Sequence, residues 1–363
     1  MKVLLLGFGK IAYMPYMNFY LDTLKGREDI SFELIYWDRD GKPDAELPHR
    51  ISKAYKFKAY LEEQLPFPKK LKYFMKYRQF ALKILAQNKY DRIIVLHTTP
   101  GLTLLDYLVR KYKKRYLLDF RDISYEYIWF YRQLVGLLSR NSALTFVSSN
   151  AFRRFLPQNT NIYTIHNYLE DSLNYKMLRK QSERLRKVIR IGYWGLVRQV
   201  RVNKKFMDAL GNDKRFELHY YGRMQQDGRD MEEYAKQKSY SNVFFHGAYL
   251  PEERYDFAKK TDLIHNVYDC GHTTGNATGN KYYDGIIFGI PQICTEGSYM
   301  GELVQKNELG IAIDLDSNNI ASSIWEYYES MNWDKFDKGC IRELNDVFNE
   351  QENAKMRLKK FLF

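Results

Sequence analysis

The sequence has 363 residues, of which 45% are hydrophobic and 16% aromatic, and its formal net charge is +13. This length has room for two ordinary domains, and the apolar fraction excludes a disordered chain. Nowhere do about eighteen apolar residues follow one another, and the first apolar run is too short for a signal peptide, so neither a membrane span nor export is expected.

Cysteine usage and net charge limit the cellular compartment and the kind of partner that are expected. Cys270, Cys294 and Cys340 are scattered and have no close Cys or His partners, which argues against disulfides and a zinc site and favours the cytoplasm. The positive charge predicts an anionic partner, which could be nucleic acid, an anionic membrane surface or a phosphorylated substrate. Charge alone does not choose among them.

The first half of the chain alternates strand and helix patterns. A buried strand at residues 2–6 leads into the turn Gly7-Phe-Gly-Lys10, which lacks the third glycine of a dinucleotide fingerprint and so does not favour nicotinamide binding. Further strands are predicted in five segments: 32–37, 91–97, 116–122, 143–150 and 162–167. This alternation indicates a parallel sheet, and His97, Arg121 and Asp122 fall at the carboxyl ends of its strands, where sites form.

A basic segment lies between residues 65 and 85. It interleaves Lys and Arg with Phe, Tyr, Leu and Met at helical spacing. The pattern predicts an amphipathic helix that either has an ordinary solvated face or docks on an anionic membrane surface. Residues 170–187 are charged and poor in apolar side chains, which is typical of a linker or a solvated helix.

The second half opens with a strand that ends at Gly195, followed at once by basic residues that include Arg198, Lys204 and Lys205. Strands at 216–222, 243–247 and 263–267 are also predicted. A polar loop at 272–279 then precedes a short helix that should run from the cap Asn280 to Phe288.

The loop and the helix start form a candidate anion site, although such a segment can also be a simple connection. The loop contributes Gly275, Asn276, Thr278 and Gly279, whose backbone can turn with its amides outward. A helix N-terminus attracts phosphate, Lys281 adds a cation, and the Asp284 carboxylate can accept two ribose hydroxyl protons.

The string Asn280-Lys-Tyr-Tyr-Asp284 followed by Gly289-Ile-Pro291 resembles the donor-site helix of GT-B glycosyltransferases. The likeness is strongest to glycosyltransferase family 4 and its relatives in bacterial capsule and exopolysaccharide assembly. Asp119-Phe-Arg-Asp122 resembles the Asp-hydrophobic-Arg-Asp motif of such enzymes. Asp284 falls where the family usually has a Glu that holds the ribose, whereas Asn276 occupies the position of another common Glu.

The resemblance implies an α/β fold of two Rossmann-like domains facing across a cleft. Residues 1–168 would form the acceptor domain, residues 169–345 the donor domain, and residues 346–363 a helix that crosses back to the first domain. Arg198 with Lys204 or Lys205 would grip the donor diphosphate beside Gly195, and Gly247 and Tyr249 would contact the base. The acceptor side would comprise Gly7, Gly9, Lys10, His97 and Arg121, with Asp122 as the candidate catalytic carboxylate.

The function so implied is a metal-independent glycosyltransferase of the hexosyltransferase type, with no cofactor besides its nucleotide-sugar substrate. Its acceptor would be a saccharide, lipid-linked in the favoured case, in bacterial capsule or exopolysaccharide synthesis. A cytoplasmic protein, with peripheral binding to the inner face of the plasma membrane as an option, is expected. Two alternatives remain: a sugar-nucleotide epimerase of the same fold, and a basic RNA-binding protein, for which no RNA motif is found.

Overall fold

The computed structural model describes residues 1–61, 67–158, 161–177 and 187–363. The chain divides into two compact units, Met1–His166 with Asn349–Phe363, and Asn167–Phe348. Each unit is built on one sheet with helices between its strands. None of the helices in the described ranges combines the length and the apolar character that crossing a bilayer requires.

The first unit contains a seven-stranded sheet in the order β3-β2-β1-β4-β5-β6-β7, and every pairing in it is parallel. Its strands are Lys2–Leu6 (β1), Ser31–Asp38 (β2), Ile51–Lys58 (β3), Arg92–Leu96 (β4), Tyr116–Phe120 (β5), Leu144–Val147 (β6) and Ile162–Thr164 (β7). Its helices up to residue 141 are Asn18–Thr23 (α1), Phe67–Gln87 (α2), Thr98–Thr103 (α3), Leu105–Lys111 (α4) and Trp129–Asn141 (α5).

Hydrophobic runs explain the central strands of this sheet. Residues 3–6, 93–96 and 116–120 are buried throughout, because helices cover both faces of a parallel sheet. The edge strand β3 has an irregular pattern with exposed lysines, and sequence analysis missed it. The order of strands reverses between β1 and β4, and such a switch point opens a crevice at the carboxyl ends of the strands.

The second unit contains a six-stranded sheet in the order β10-β9-β8-β11-β12-β13, again parallel throughout. Its strands are Ile189–Trp194 (β8), Phe216–Tyr221 (β9), Val243–Gly247 (β10), Leu263–Asn266 (β11), Gln292–Thr295 (β12) and Gly310–Ile313 (β13). The remaining helices are Val200–Leu210 (α6), Gln226–Gln237 (α7), Arg254–Ala258 (α8), Asn280–Phe288 (α9), Tyr299–Lys306 (α10), Ile320–Glu329 (α11) and Trp333–Leu362 (α12). Residues 178–186 of the predicted linker lie outside the described residues, as do residues 65 and 66 of the predicted basic helix.

Helix α9 has the predicted bounds. Gly289 ends it with φ 68°, a left-handed conformation that glycine adopts without strain, and the following Pro291 prevents its continuation. The N-cap is Gly279 rather than the predicted Asn280, which is the first helical residue. Lys281 to Phe288 are all buried, so the charged side chains of this helix lie inside the unit.

The C-terminal helix α12 is longer than the sequence predicted, since it begins at Trp333 instead of at residue 346. Its last part belongs to the first unit, where Leu358 and Phe361 are buried in the core with residues of β1 and α1. His166 Nε2 lies 2.8 Å from a carboxylate oxygen of Glu350 and fixes the helix beside the end of β7.

We expect Leu358→Ala to lower the free energy of unfolding by about 2–5 kcal/mol, because it leaves a cavity in the core of the first unit. Met356→Ala is the matched control, since Met356 lies on the same helix turn and is 62% exposed. Urea denaturation followed by circular dichroism measures both. Equal stability of the two variants would contradict the packing of this helix end.

Candidate functional site

The loop after β8 presents a basic side chain at the carboxyl end of the sheet. Gly195 has φ 116° and no atom within 4 Å of where a Cβ would lie, so the backbone turns beside open space. The Arg198 side chain is exposed, and within the described part of the chain its guanidinium makes no hydrogen bond or ion pair. It is therefore available to an anion.

A buried asparagine, Asn203, holds the backbone of the Arg198 loop in place. Asn203 Nδ2 donates to the backbone carbonyls of Arg198 at 2.9 Å and Gln199 at 3.2 Å. Its Oδ1 accepts from the Tyr220 hydroxyl at 3.0 Å and from His265 Nε2 at 2.9 Å. Because every polar atom of this amide is bonded inside the core, the backbone at Arg198 is rigidly placed. Sequence analysis missed Asn203, which looks like any polar residue of an amphipathic helix.

Lys281 lies in the first turn of α9 with its amine inside the unit. Nζ is 3.8 Å from the centroid of the Tyr193 ring and 4.8 Å from that of Tyr268, and it donates to the Tyr268 hydroxyl. The side chain is 5% exposed and makes no ion pair with a described carboxylate. Burial, together with the nearby charge of Arg198, lowers the pKa of Lys281 to about 7.

Asp284 lies one turn further along α9 and is also buried. Its Oδ2 accepts from Trp194 Nε1 at 2.8 Å and lies 3.7 Å from Arg254 Nη1. Burial raises the pKa of the Asp284 carboxyl, while Arg254 and Trp194 act in the opposite direction. No hydrogen bond from a described residue reaches Oδ1. The carboxylate is thus held by one oxygen. Trp194 and Arg254 have no sequence signal that links them to Asp284.

The loop before α9 is closed by its own side chains. Asn276 Nδ2 donates to the carbonyl of His272 at 2.6 Å across the short 3-10 turn Thr274–Asn276. Gly275 packs against Cys270, so that a Cβ there would lie 2.8 Å from the Cys270 carbonyl oxygen. Asn276, which occupies the position of a family Glu, therefore holds the loop in shape. Thr278 and Gly279 follow at the entrance to the helix.

Two predicted base-contacting residues lie at the end of β10. Gly247 has φ 76° with open space around it, and Tyr249 is half-buried with its ring edge against Phe257 at 5.1 Å. Strand β10 pairs with β9, which pairs with β8, and all three strands are parallel. The loop after β10 therefore lies at the same edge of the sheet as the loop of Arg198 after β8.

The structure does not bring the predicted lysines of α6 to this cluster. Lys204 Nζ lies 4.5 Å from the centroid of the Tyr234 ring on α7, and Lys205 pairs with the exposed carboxylate of Asp316. Both side chains project from α6 toward surface partners. The lysine that lies at the cluster, beside Tyr193, is Lys281.

The first unit has a cavity of about 1200 Å³ at the carboxyl ends of β1 and β4. Most of the side chains that line it are apolar or aromatic, and they come from the β1 loop, α2, α3 and the segment before α5. Its apolar wall includes Phe8, Tyr13, Met14, Tyr16, Leu61, Leu71, Phe74, Met75, Leu96, Leu102, Tyr125, Tyr127, Ile128, Phe130, Tyr131 and Leu134. Gly9, Lys10, His97 and Asp122 also line it.

His97 has an unusual backbone and a defined protonation state. Its φ of 91° lies in a region that side chains rarely adopt, which is a form of strain that clusters at functional sites. The ring Nδ1 accepts from the backbone N–H of Thr99 at 3.2 Å, so the proton of the neutral ring is on Nε2. Burial and the charge of Arg39 lower the pKa of His97 to about 4, and the ring is therefore neutral at pH 7.

The other predicted acceptor-side residues have structural partners. Lys10 Nζ is bonded to Asp40 at 2.6 Å and to two backbone carbonyls. Arg121 lies in the core in an ion pair of 2.7 Å with the buried Asp119, so the structure does not place it on the cavity wall. Gly7 lies beneath the cavity, and its carbonyl accepts from the Tyr77 hydroxyl of α2.

No family model matches this sequence, and no curated protein sequence matches it. Solved structures share its fold at low identity. Sucrose-phosphate synthase from Thermosynechococcus elongatus is 12% identical, with a TM-score of 0.72 over 100% of this chain and 98% of that chain. HepE from Anabaena in complex with UDP is 14% identical, with a TM-score of 0.68 over 99% of this chain and 100% of that chain.

The UDP-GlcNAc 2-epimerase from Neisseria meningitidis bound to UDP-GlcNAc is 13% identical, with a TM-score of 0.60 over 100% of this chain and 99% of that chain. These similarities, together with the two parallel sheets, show that the chain has the GT-B fold. The fold predicted from the sequence is confirmed.

The neutral amine of Lys281 makes the free energy of unfolding depend on pH. In the unfolded chain this lysine has the ordinary pKa of 10.5, so between pH 7 and 10.5 the unfolded state binds more protons than the folded state. Stability from this group therefore rises with pH by up to about 1.4 kcal/mol per unit. We expect Lys281→Met to abolish this rise.

Urea denaturation between about pH 7 and about pH 9 measures the effect as the difference between wild type and variant. Lys259→Met, at an exposed lysine of the same unit, is the control and should parallel the wild type at each pH. A difference between wild type and Lys281→Met that is constant over this range would show that the folded protein keeps the amine charged.

Proposed function

We propose that this protein is a glycosyltransferase that transfers a sugar from a nucleotide-sugar donor to an acceptor hydroxyl. The observation that carries the proposal is the cluster at the carboxyl edge of the second sheet. There, the exposed Arg198 guanidinium, the first turn of α9 with Lys281, and the Asp284 carboxylate come together. These groups match two parts of a nucleoside diphosphate, which are its two phosphates and its ribose.

Each group has a definite task in this proposal. Arg198 and the first amides of α9 bind the diphosphate, because a helix N-terminus and a guanidinium both favour phosphate oxygens. Oδ1 of Asp284 accepts the ribose hydroxyl protons while Trp194 and Arg254 hold Oδ2. Gly195, Gly247 and Tyr249 border the nucleotide. HepE with UDP and the epimerase with UDP-GlcNAc show that proteins of this fold bind such ligands.

Catalysis in this proposal depends on positive charge placed where negative charge develops. When the bond between the sugar and the diphosphate breaks, the leaving group gains charge that Arg198 and Lys281 stabilise. A transferase of the hexosyltransferase type needs no metal ion for this step if the cations of the protein take that charge. Metal independence is thus part of the proposal.

The cavity of the first unit is proposed as the acceptor site. His97 is neutral and carries its proton on Nε2, so it donates a hydrogen bond and does not act as a base. Two carboxylates of the described residues line the cavity, and since Asp40 is paired with Lys10 at 2.6 Å, the exposed Asp122 is the one proposed to take the proton of the acceptor hydroxyl. In this proposal His97 orients the acceptor hydroxyl and Asp122 removes its proton.

The volume of this cavity favours a transferase over an epimerase. An epimerase of this fold acts on the sugar nucleotide alone, and the second unit already has the groups to hold a nucleotide. A cavity of about 1200 Å³ in the first unit is large enough for a second substrate. An epimerase would also bind a nucleotide, so the epimerase remains the alternative function if nucleotide binding is observed.

The wall of the cavity supports an acceptor with an apolar part, such as a lipid-linked saccharide of bacterial capsule or exopolysaccharide synthesis. Leu71, Met75, Tyr127, Ile128 and Phe130 line the cavity and are each 47–63% exposed. Exposed lysines flank the first two on α2, at positions 69, 72 and 76. An apolar rim with adjacent cations suits the anionic inner face of the plasma membrane.

A screen of nucleotide diphosphates and UDP-glucose by thermal shift tests the donor site, since binding stabilises the folded state. We expect at least one nucleotide to bind, and Asp284→Asn to weaken its binding by about 1–3 kcal/mol in calorimetry through loss of a charged acceptor. Asp316→Asn, an exposed carboxylate of the same unit, is the control. Absence of nucleotide binding would overturn the proposed function.

Sedimentation with vesicles tests the membrane contact. Binding should increase with anionic lipid, fall with salt, and drop when Lys69, Lys70, Lys72 and Lys76 are changed to Gln. The matched control changes the same charge in the second unit and consists of the four exposed lysines Lys236, Lys238, Lys259 and Lys260. Equal losses in the two quadruple variants, or equal binding to neutral vesicles, would leave α2 as an ordinary solvated helix.

A further inference from the structure

Lys281 occupies a position that is costly in the absence of an anion. Its amine is buried between the rings of Tyr193 and Tyr268, and its hydrogen-bond partner is the neutral Tyr268 hydroxyl. Within the described residues no carboxylate forms an ion pair with it. A buried ammonium group without a counter-charge loses its hydration and gains little in return, so such groups tend to release their proton.

The neighbours of the amine explain why it is the group that titrates. Burial raises the pKa of Tyr193 to about 12 and raises the pKa values of Tyr268 and Cys294, so all three stay neutral near pH 7. Burial lowers the pKa of His265 far below its ordinary value, which keeps that ring neutral.

Two charged groups influence the amine directly. Arg198, from the loop after β8, lowers the pKa of Lys281, and Asp284 on the same helix raises it. The Asp284 carboxylate already accepts from Trp194 and pairs with Arg254. Because Trp194 and Arg254 already interact with this carboxylate, Asp284 compensates the charge of the Lys281 amine only in part. The site as a whole has an excess of cations at the first turn of α9, where a diphosphate would lie.

We propose that Lys281 is the second cation of the diphosphate site, and that above neutral pH its amine is uncharged while the site is empty and protonated when a diphosphate binds. The inference rests on the proposed donor site. It goes further in that donor binding is coupled to the uptake of one proton by the Nζ amine. The charged amine then faces the phosphate oxygens with Arg198. Lys204 and Lys205, which the sequence favoured for this role, keep their surface partners.

The coupling has a defined sign. Below about pH 7 the amine is already charged, so donor affinity does not change with pH through this group. Above that value each bound donor must take up a proton from solution. The dissociation constant should therefore rise with pH, by up to about tenfold per unit.

Isothermal titration calorimetry of UDP-glucose at about pH 8, in HEPES and in Tris, measures the proton directly, because the two buffers release protons with different enthalpies. UDP-glucose is the probe because neither of its phosphates titrates near neutral pH. Wild type should take up about one proton per bound donor. Lys281→Met should bind more weakly with no uptake, and Lys281→Arg, which stays charged, should bind with no uptake.

Lys259→Met is the control for the loss of a lysine and should show the wild-type uptake.

Binding of UDP-glucose to the wild type with the same enthalpy in both buffers would overturn the proposal and leave the donor site intact. Uptake that persists in Lys281→Met would also overturn it, because another group would then be the proton acceptor. If neither UDP-glucose nor any nucleotide diphosphate of the screen binds to the wild type, the donor site itself is refuted. If Lys281→Met fails to fold, Lys281→Arg still tests the assignment of the proton, because uptake that persists in it would come from another group.

Discussion

Parallel strand pairing is the constraint on which the candidate site depends. In both sheets every pairing is parallel, so the loops that follow the strands leave from one edge. In the second sheet β8 and β11 are neighbours although a long stretch of chain separates them. The loop with Arg198 and the loop that leads into α9 therefore meet at this edge. Without that pairing, Arg198 and Lys281 would be unrelated basic residues.

The buried charges of this protein differ in whether a counter-charge lies beside them. In the first unit, Asp119 and Arg121 form a buried ion pair, so each charge has its counter-charge at 2.7 Å. Such a pair is compensated and mainly specifies the core. Among the described residues of the second unit, no carboxylate forms an ion pair with the amine of Lys281, whose direct contacts are the Tyr268 hydroxyl and the Tyr193 and Tyr268 rings. A group left uncompensated in this way lowers the stability of the empty protein and gains most when a ligand of opposite charge arrives. That contrast separates a structural charge from a functional one.

The two units also differ in the character of their openings. The cavity of the first unit has a wall of mainly aromatic and aliphatic side chains, and the polar or charged side chains in its lining include Lys10, Arg39, His97 and Asp122. The edge of the second sheet is polar and basic. An apolar wall with a few placed polar groups selects a ligand by shape, whereas the basic edge selects it by charge. This division fits one substrate with an apolar part and one with phosphates.

The sequence by itself determined the features that depend on local pattern. Apolar runs of strand length predicted the central strands, and the Gly289-Ile-Pro291 stop predicted the end of α9, because backbone conformation at those positions is a local property. It also pointed to Arg198, Asp284, His97 and Asp122, since loops after parallel strands gather at one edge.

Only the tertiary structure decided which lysine belongs to the cluster. The sequence favoured Lys204 or Lys205 for the diphosphate and offered Lys281 as a further cation, but the direction of each side chain depends on how its helix is rotated against the sheet. The partners of Asp284 and the volume of the apolar cavity likewise arise from contacts between distant segments. Burial, and with it the pKa of Lys281, is a property of packing, and no local pattern contains it.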